Sequence, residues 1–277
     1  MDEPVDPAQP PNLAMWDERA PAHAASPDYG VRRFAEDPAF LSDVVRFDRD
    51  RLGDLTGLDV VHLQCHIGTD TVSLSRLGGR VTGLDFSPAS IAEARRVAEL
   101  AGADVGFVLS DVHDAVAALG ATYDLVYTGI GALCWVPRIA RWAEVVAALL
   151  RPGGRLHLRE GHPVLWALDQ DRTDGRLELV VPYFEHPEPT VWDEPGTYVD
   201  SDVDFVHTRS EEWNHGLGEI VTALLEVGLE VTGLVEHRTV PWKALPPMVD
   251  VGGGEFALPD DDLRMPMTYT LTARKPA

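Results

Sequence analysis

Asp85 stands at the tip of a predicted strand, Arg80–Leu84, and follows Gly68 at close to the roughly 20-residue spacing expected of a ribose-binding carboxylate. Gly68 closes the turn Gln64–Gly68, which leaves another predicted strand, Asp59–Leu63, and opens a helix over Thr71–Leu77. A carboxylate at the tip of the second strand accepts hydrogen bonds from both hydroxyls of a ribose. Together the turn, the helix and the acid describe a nucleoside-binding unit. Asp85 also has a plainer use, which is to help cap the helix that Ser87-Pro88 begins.

The turn HLQCHIG argues against a pyrophosphate ligand. Dinucleotide sites place glycine at three points so that backbone can approach the phosphates, and Gln64 and His66 fill two of those points here. An NAD(P)-dependent oxidoreductase is therefore the weaker reading. S-adenosylmethionine has no phosphate, and its amino-acid carboxylate needs only a few backbone donors near a helix N-terminus.

Residues able to move a proton follow the fifth predicted strand, Arg155–Arg159. Glu160 and His162 lie at its C-terminal edge, where ligands gather in open α/β sheets, and His215 sits just after Trp213 before a strong amphipathic helix. These three are the candidate catalytic residues. The aromatics Trp16, Tyr29, Trp135, Trp166, Tyr183, Trp192 and Trp213 fall outside the repeating strand-helix pattern, where they suit enclosure of an acceptor or packing under a cap. No CxxC pair, HExxH run or metal-spaced acidic cluster occurs, so no metal is expected. The DDD at Asp260–Asp262 and the acidic stretch 200–204 read as solvated loops.

These positions depend on an alternation of elements. After Gly102 stops the helix begun at Pro88, strands are predicted at Val105–Leu109 and Tyr123–Thr128, with a short helix near Ala115–Leu119 between them. Pro137 opens a helix carrying Ile139, Trp142, Ala143, Val146 and Leu150 on one face, and Pro152-Gly153-Gly154 ends it. Five strands separated by helices imply a mainly parallel sheet. Upstream, residues 38–52 read as a helix. Residues 161–212 break the period and read as an inserted cap with strands at Leu177–Phe184 and Tyr198–His207. Leu217–Leu225 returns to helix, and Leu229–Val235 and Met267–Ala273 are the last two strands. The units are thus 1–37 as N-terminal tail and lid, 38–160 as cofactor-binding core, 161–212 as substrate cap and 213–277 as the completion of the sheet.

The chain has 277 residues, 23 Lys+Arg against 45 Asp+Glu and a formal net charge of −22, which repels phosphate backbones and anionic lipid. Nucleic acid and membrane partners are not expected, and a small-molecule acceptor is. Two cysteines, Cys65 and Cys134, exclude a disulfide framework, and the acidic, proline-rich start MDEPVDPAQPP is unlike a secretory signal. A cytoplasmic location is the expectation, and a homodimer is compatible with the sequence.

VVHLQCHIG, VTGLDFSPASI, YDLVYTGIGAL and LLRPGGRLHL, in that order from Leu58 to Glu160, resemble the class I S-adenosylmethionine-dependent methyltransferases, in particular a bacterial small-molecule subgroup with an HLQCH turn. The resemblance implies a Rossmann-like, seven-stranded α/β sheet whose last strand inserts antiparallel, with helices on both faces. It implies that Gln64, Cys65, His66 and Gly68 lie along the methionine part of the cofactor and that Asp85 and Phe86 hold ribose and the adenine edge. Asp111, with Val112 beside it, would take the adenine amino group, and Thr128 would border the reactive methyl. The chain departs from the family in two ways: the first strand carries His62 where an acid is common, and Gln64 and His66 replace loop glycines. Other uses of the cofactor, in cyclisation or elimination, or binding without turnover, remain open at this point.

Overall fold

The fold is that of a computed structural model in which residues 10–261 and 263–277 are described. Most of the acidic, proline-rich start MDEPVDPAQPP, residues 1–9, lies outside the described residues. The helices are α1 Pro11–Ala25, α2 Val31–Glu36, α3 Asp43–Leu52, α4 Thr69–Arg76, α5 Pro88–Ala101, α6 Ala115–Leu119, α7 Ile139–Leu149, α8 Pro163–Trp166 and α9 Leu217–Glu226. The strands are β1 Asp59–Leu63, β2 Arg80–Asp85, β3 Gly106–Leu109, β4 Tyr123–Thr128, β5 Leu150–Gly161, β6 Thr190–Asp193, β7 Arg209–Glu212, β8 Glu230–His237, β9 Thr239–Val240, β10 Val249–Gly252, β11 Glu255–Ala257 and β12 Thr268–Arg274.

Seven strands form one sheet in the order β3-β2-β1-β4-β5-β12-β8. The first five run parallel, and β12 lies antiparallel between β5 and β8, as expected for the last strand. Alternate residues of the central strands feed opposite layers. Val61, Leu63 and Val126 pack with Trp142, Val146 and Leu224 from α7 and α9, whereas Val60, Leu125 and Tyr127 pack with Val45, Leu52 and Leu74 from α3 and α4. Central strands buried on both faces read as continuous apolar runs, which is why DVVHL and YDLVYT were legible.

Order reverses between β1 and β4: the chain leaves β1 toward β2 and β3, then returns to β4 on the other side. Ligands of open α/β sheets bind beyond the strand ends at such a switch point. The turn Gln64–Gly68, the tip of β2 and the loop after β4 converge there.

Several expectations differ from the structure. The strands anticipated at 177–184 and 198–207 are absent; the cap instead holds α8 and the two-stranded ribbon β6-β7, paired from Thr190↔Glu212 to Asp193↔Arg209. Aliphatic side chains at 177–184 suggested burial, yet Leu179, Val180 and Phe184 are exposed. The segment 1–37, read as tail and lid, carries α1 and α2, formed helices packed on α5. A second insertion, with the small sheet β10-β11-β9, lies between β8 and β12 where plain continuation was expected. The helix read over 38–52 begins only at Asp43, where the Ser42 hydroxyl accepts from Val45 N–H.

Candidate functional site

The turn after β1 is built from unusual backbone. Gln64 and His66 have φ of 55° and 48°, two of three non-glycine residues in the left-handed region among those described, and Gly68 follows at 76°. Such residues cost about 1–3 kcal/mol each and gather where function over-determines the chain. The side chains replacing glycine have therefore not changed the course of the turn. Cys65 N–H donates to Leu84 O, tying the turn to β2. The thiol itself points into the packing beneath: a Cβ on Gly83 would lie 2.8 Å from its Sγ.

Asp85 sits at the mouth of this turn, 6% exposed. Its Oδ2 accepts from His66 N–H at 2.8 Å and its Oδ1 from Ser87 N–H at 3.0 Å. Burial raises its pKa to about 6, and these backbone donors oppose the rise. The helix that follows is capped by Ser87 Oγ, which accepts from Ser90 N–H, so Asp85 is left to serve the turn and whatever lies before it. Phe86 is half-buried beside it. Asp111 is exposed, and its Oδ1 accepts from both N–H and Nδ1 of His113, so one oxygen already serves a local turn and Oδ2 alone has no such duty there. Val112 is buried next to it, and Thr128 is fully buried with no partner for its hydroxyl. The Gln64 amide donates Nε2–H to Ala132 O at 2.8 Å, while its Oε1 is buried without a donor. An orphaned acceptor beside left-handed backbone at a sheet switch point is the kind of group a ligand satisfies.

The three candidate proton carriers are all engaged. Glu160 accepts backbone N–H from Gly131 (2.6 Å), Ala132 (2.8 Å), Leu133 (2.9 Å) and Gly161 (2.6 Å), so it holds the loop after β4. Burial raises its pKa despite those four donors. His162 accepts Val164 N–H at Nδ1, and its Nε2 lies 3.0 Å from Glu236. Burial lowers its pKa. His215 Nε2 faces the carbonyls of Leu133 and Val136, and its Nδ1 lies 2.8 Å from a Glu185 oxygen that also accepts from Ile139 N–H. Both ring nitrogens of His215 therefore already face protein partners. All three residues fix the loop 129–136 and the cap in place. Glu160→Gln puts an amide donor against backbone donors and is expected to destabilise the protein by about 1–3 kcal/mol in chemical denaturation; an unchanged midpoint would show that the loop does not depend on the carboxylate.

The sequence offered a lid and a cap but no sign of the helix α1 or of the contacts that join it to the turn. From α1, Asp17 Oδ1 accepts from Ala89 N–H and Ser87 Oγ, and Trp16 packs edge-on against His66 and Trp135. His23 Nδ1 lies 2.9 Å from His66 Nε2, with its own Nε2 2.6 Å from Thr197 Oγ1. Burial pushes the pKa of His23 down to about 3 and that of His66 well below its usual value, so both rings are neutral at neutral pH. The same helix is clasped by the cap. Arg19 donates to the carbonyls of Glu194, Gly196 and His207, Glu18 accepts from Val206 and His207 N–H, and Asn12 exchanges two hydrogen bonds with the backbone of Glu211. The buried face Ala14, Met15, Arg19, Ala20, His23, Ala24 does have helical spacing, but alanine, arginine and histidine carry it, so an apolar scan passes over it. Below the cap a cleft of about 10 Å³, lined by Glu160, Trp166, Trp213, His215 and Tyr269 among others, is far smaller than the roughly 300–1,000 Å³ of ligand pockets. Among the described residues no cluster of His, Cys, Asp or Glu could hold a metal ion, and no helix is long and apolar enough to cross a membrane.

Comparison with known proteins bears on the domain and the fold. Residues 60–154, about a third of the chain, match the family model described as "Methyltransferase domain". The chain is 35% identical over 143 residues to a ubiquinone biosynthesis O-methyltransferase of Methylobacterium sp., covering 50% of this chain and 55% of that protein. A protein of the same name from Methylocella silvestris is 35% identical over 108 residues, 38% of this chain and 41% of that one. The matches thus span about half the length of these curated relatives or less. Among solved structures, a candidate S-adenosylmethionine dependent methyltransferase of Listeria monocytogenes superposes with TM-score 0.61 at 19% identity, covering 85% of this chain and 99% of that one. An S-adenosylmethionine dependent methyltransferase of Mesorhizobium loti gives TM-score 0.57 at 21% identity over 84% and 97% of the two chains. These structural likenesses establish the Rossmann-like methyltransferase fold.

Proposed function

We propose that this chain, whose residues 60–154 match the family model described as "Methyltransferase domain", is an S-adenosylmethionine-dependent methyltransferase of class I that transfers a methyl group to an oxygen or nitrogen of a small-molecule acceptor. The observation that carries the reading is the turn Gln64–Gly68: it keeps glycine-like backbone at three positions and sets Asp85 beside it at the tip of β2. Left-handed backbone at 64 and 66 exposes main-chain groups to an amino acid, and Asp85 offers an ionised carboxylate to a ribose. The residues fit the cofactor. Gln64, His66 and Gly68 would hold its methionine part, Asp85 and Phe86 its ribose and adenine edge, Asp111 Oδ2 and Val112 the adenine, and Thr128 the region of the methyl. Cys65 would contribute backbone alone, since its thiol is turned beneath β2.

The cofactor supplies a methyl on a sulfonium, already activated toward attack. What remains for the protein is to align an acceptor and exclude water, and positioning of that kind contributes roughly 7–11 kcal/mol of barrier reduction. A general base contributes about 10²–10⁴-fold. This ranking suits a site in which Glu160, His162 and His215 are committed to holding the loop and cap. We assign them positioning roles; the cleft between that loop and the cap is closed to an acceptor as it stands and would have to widen to admit one. The O-methyltransferase names of the relatives favour oxygen over nitrogen as the acceptor atom.

The unit boundaries follow the same reading: 1–37 and 161–212 cover the site, 38–160 binds cofactor, and 213–277 completes the sheet and adds the β9–β11 insertion. Because α1 and the cap clasp one another over His66, they would open together for exchange. Arg19→Ala removes four hydrogen bonds of that clasp, and stopped-flow dissociation of S-adenosylhomocysteine is expected to quicken about tenfold, near 1.4 kcal/mol. An unchanged rate would separate the clasp from cofactor exchange. Incubation of the chain with S-adenosylmethionine and a panel of phenols, carboxylic acids and amines, read by mass spectrometry, tests the reaction. The expected product carries one added methyl and appears with an equal amount of S-adenosylhomocysteine; a product lacking that methyl would identify cyclisation or elimination instead.

A further inference from the structure

The first strand ends without the acid common in the family that it resembles, because His62 stands there, desolvated, with its pKa pushed down to about 3. His62 Nδ1 is bonded to Thr71 Oγ1. A neutral imidazole offers no countercharge to an ammonium group. A carboxylate does approach the same place from another element. Asp70, in the first turn of α4 just behind the Gln64–Gly68 turn, turns its side chain to the end of β4: a Cβ on Gly129 would meet Asp70 Oδ2 at 3.2 Å and His62 Nε2 at 3.5 Å.

Among the described residues no cation forms an ion pair with Asp70. The nearest influence of that sign is Arg159, which donates through Nη2 to both oxygens of Glu255 and lies 3.6 Å over the ring of Phe47. On its other side Asp70 feels Tyr29 and Tyr198, whose hydroxyls bond to one another. Tyr29 and Tyr198 both pack against His23, Tyr29 reaches His66 and Tyr198, itself 56% exposed, reaches Trp16, so aromatic rings lie between the covering layer and the turn. Burial raises the pKa of Asp70 to about 6, a hydrogen bond from the Ser42 hydroxyl and the field of Arg159 oppose the rise and the Asp43 carboxylate adds to it, so the carboxylate has a hydroxyl partner but no paired countercharge. Aromatic rings with one carboxylate suit an organic ammonium group, which gains from both.

We infer that Asp70 is the counter-ion of the cofactor's methionine ammonium, taking from α4 the role that the first strand lacks, with Tyr29 and Tyr198 beside it. The inference rests on the cofactor reading above and adds a residue to it. Asp70 acts in binding, so its effect belongs to any ligand carrying the amino acid and to none that lacks it.

Calorimetry with two ligands tests this: S-adenosylhomocysteine, which keeps the ammonium, and 5′-methylthioadenosine, which keeps adenosine and sulfur but has no amino acid. Asp70→Asn is expected to bind S-adenosylhomocysteine at least about tenfold more weakly and methylthioadenosine as the wild type does. Without ligand, the variant should melt at or above the wild-type temperature, because an uncompensated charge has been removed; a carboxylate with a merely structural role would lower it. Asp70→Ser should behave alike. Equal affinity of wild type and variants for S-adenosylhomocysteine, or an equal loss for both ligands, overturns the inference while leaving the cofactor reading intact. Failure of the wild type to bind either ligand overturns the cofactor reading itself, and the inference with it.

Discussion

Asp85→Ala is expected to weaken S-adenosylhomocysteine binding by about 100- to 1,000-fold, the result of losing two hydrogen bonds from ribose hydroxyls to an ionised carboxylate at about 1.5–2 kcal/mol each. The substitution also leaves His66 N–H and Ser87 N–H without their acceptor, which loosens the turn. Circular dichroism should still report a folded chain, since the side chain lies at a strand tip and outside the apolar layers. The same carboxylate makes binding depend on pH. Its folded-state pKa is raised to about 6, so the group is ionised at pH 7.5 and largely protonated at pH 5. Wild-type affinity should fall as pH drops through 6, and that step should vanish in the variant. The stability effect has the opposite sign. A raised carboxyl pKa means the folded state takes up the proton before the unfolded chain does, so this group destabilises the fold above pH 6 and that penalty is relieved as pH falls toward the ordinary value of 3.8. An Asp85→Ala variant that keeps wild-type affinity would remove Asp85 from the site.

Gly68→Ala should cost about 3–4 kcal/mol of stability, read by chemical denaturation, with a melting temperature lower by roughly 10 °C. Two penalties combine. The backbone at Gly68 has φ of 76°, which costs an L-residue about 1–3 kcal/mol, and a Cβ there would lie 2.8 Å from Ala94 Cβ and 3.1 Å from its Cα. Neither neighbour is a flexible chain end, so α4 or α5 must shift. That close approach sets the distance between the turn and α5, whose N-terminus follows Asp85, so cofactor affinity should fall with stability. A loss below 1 kcal/mol would mean that the helices can separate freely, and that the turn is not rigidly placed.

What the sequence revealed follows from where apolar residues concentrate. Strands β1 and β4 are buried on both sides and announced themselves, as did α5, framed by Ser87-Pro88 and Gly102. The sheet order and the antiparallel β12 came with the family resemblance, and could not have been read from periodicity. The cap was misread because its segments pack through polar contacts: β7 is Arg-Ser-Glu-Glu, and α1 docks through Asn12, Glu18 and Arg19. Gln64, His66 and Asp85 were found because they stand at a turn and a strand tip, positions visible in the chain. The engagement of Glu160 with four backbone donors, and of His215 with two carbonyls and a carboxylate, depends on loops brought together across the sheet edge. No spacing in the sequence records that.

The central claim is that this fold binds a nucleoside sulfonium through the Gln64–Gly68 turn and Asp85, and a titration of the wild-type chain at pH 7.5 with S-adenosylhomocysteine, with NADH as the contrasting ligand, tests it most directly. The expected result is one S-adenosylhomocysteine per chain with micromolar or tighter affinity, and no heat from NADH. Saturable binding of NADH, or no binding of S-adenosylhomocysteine at millimolar concentration, would contradict the account.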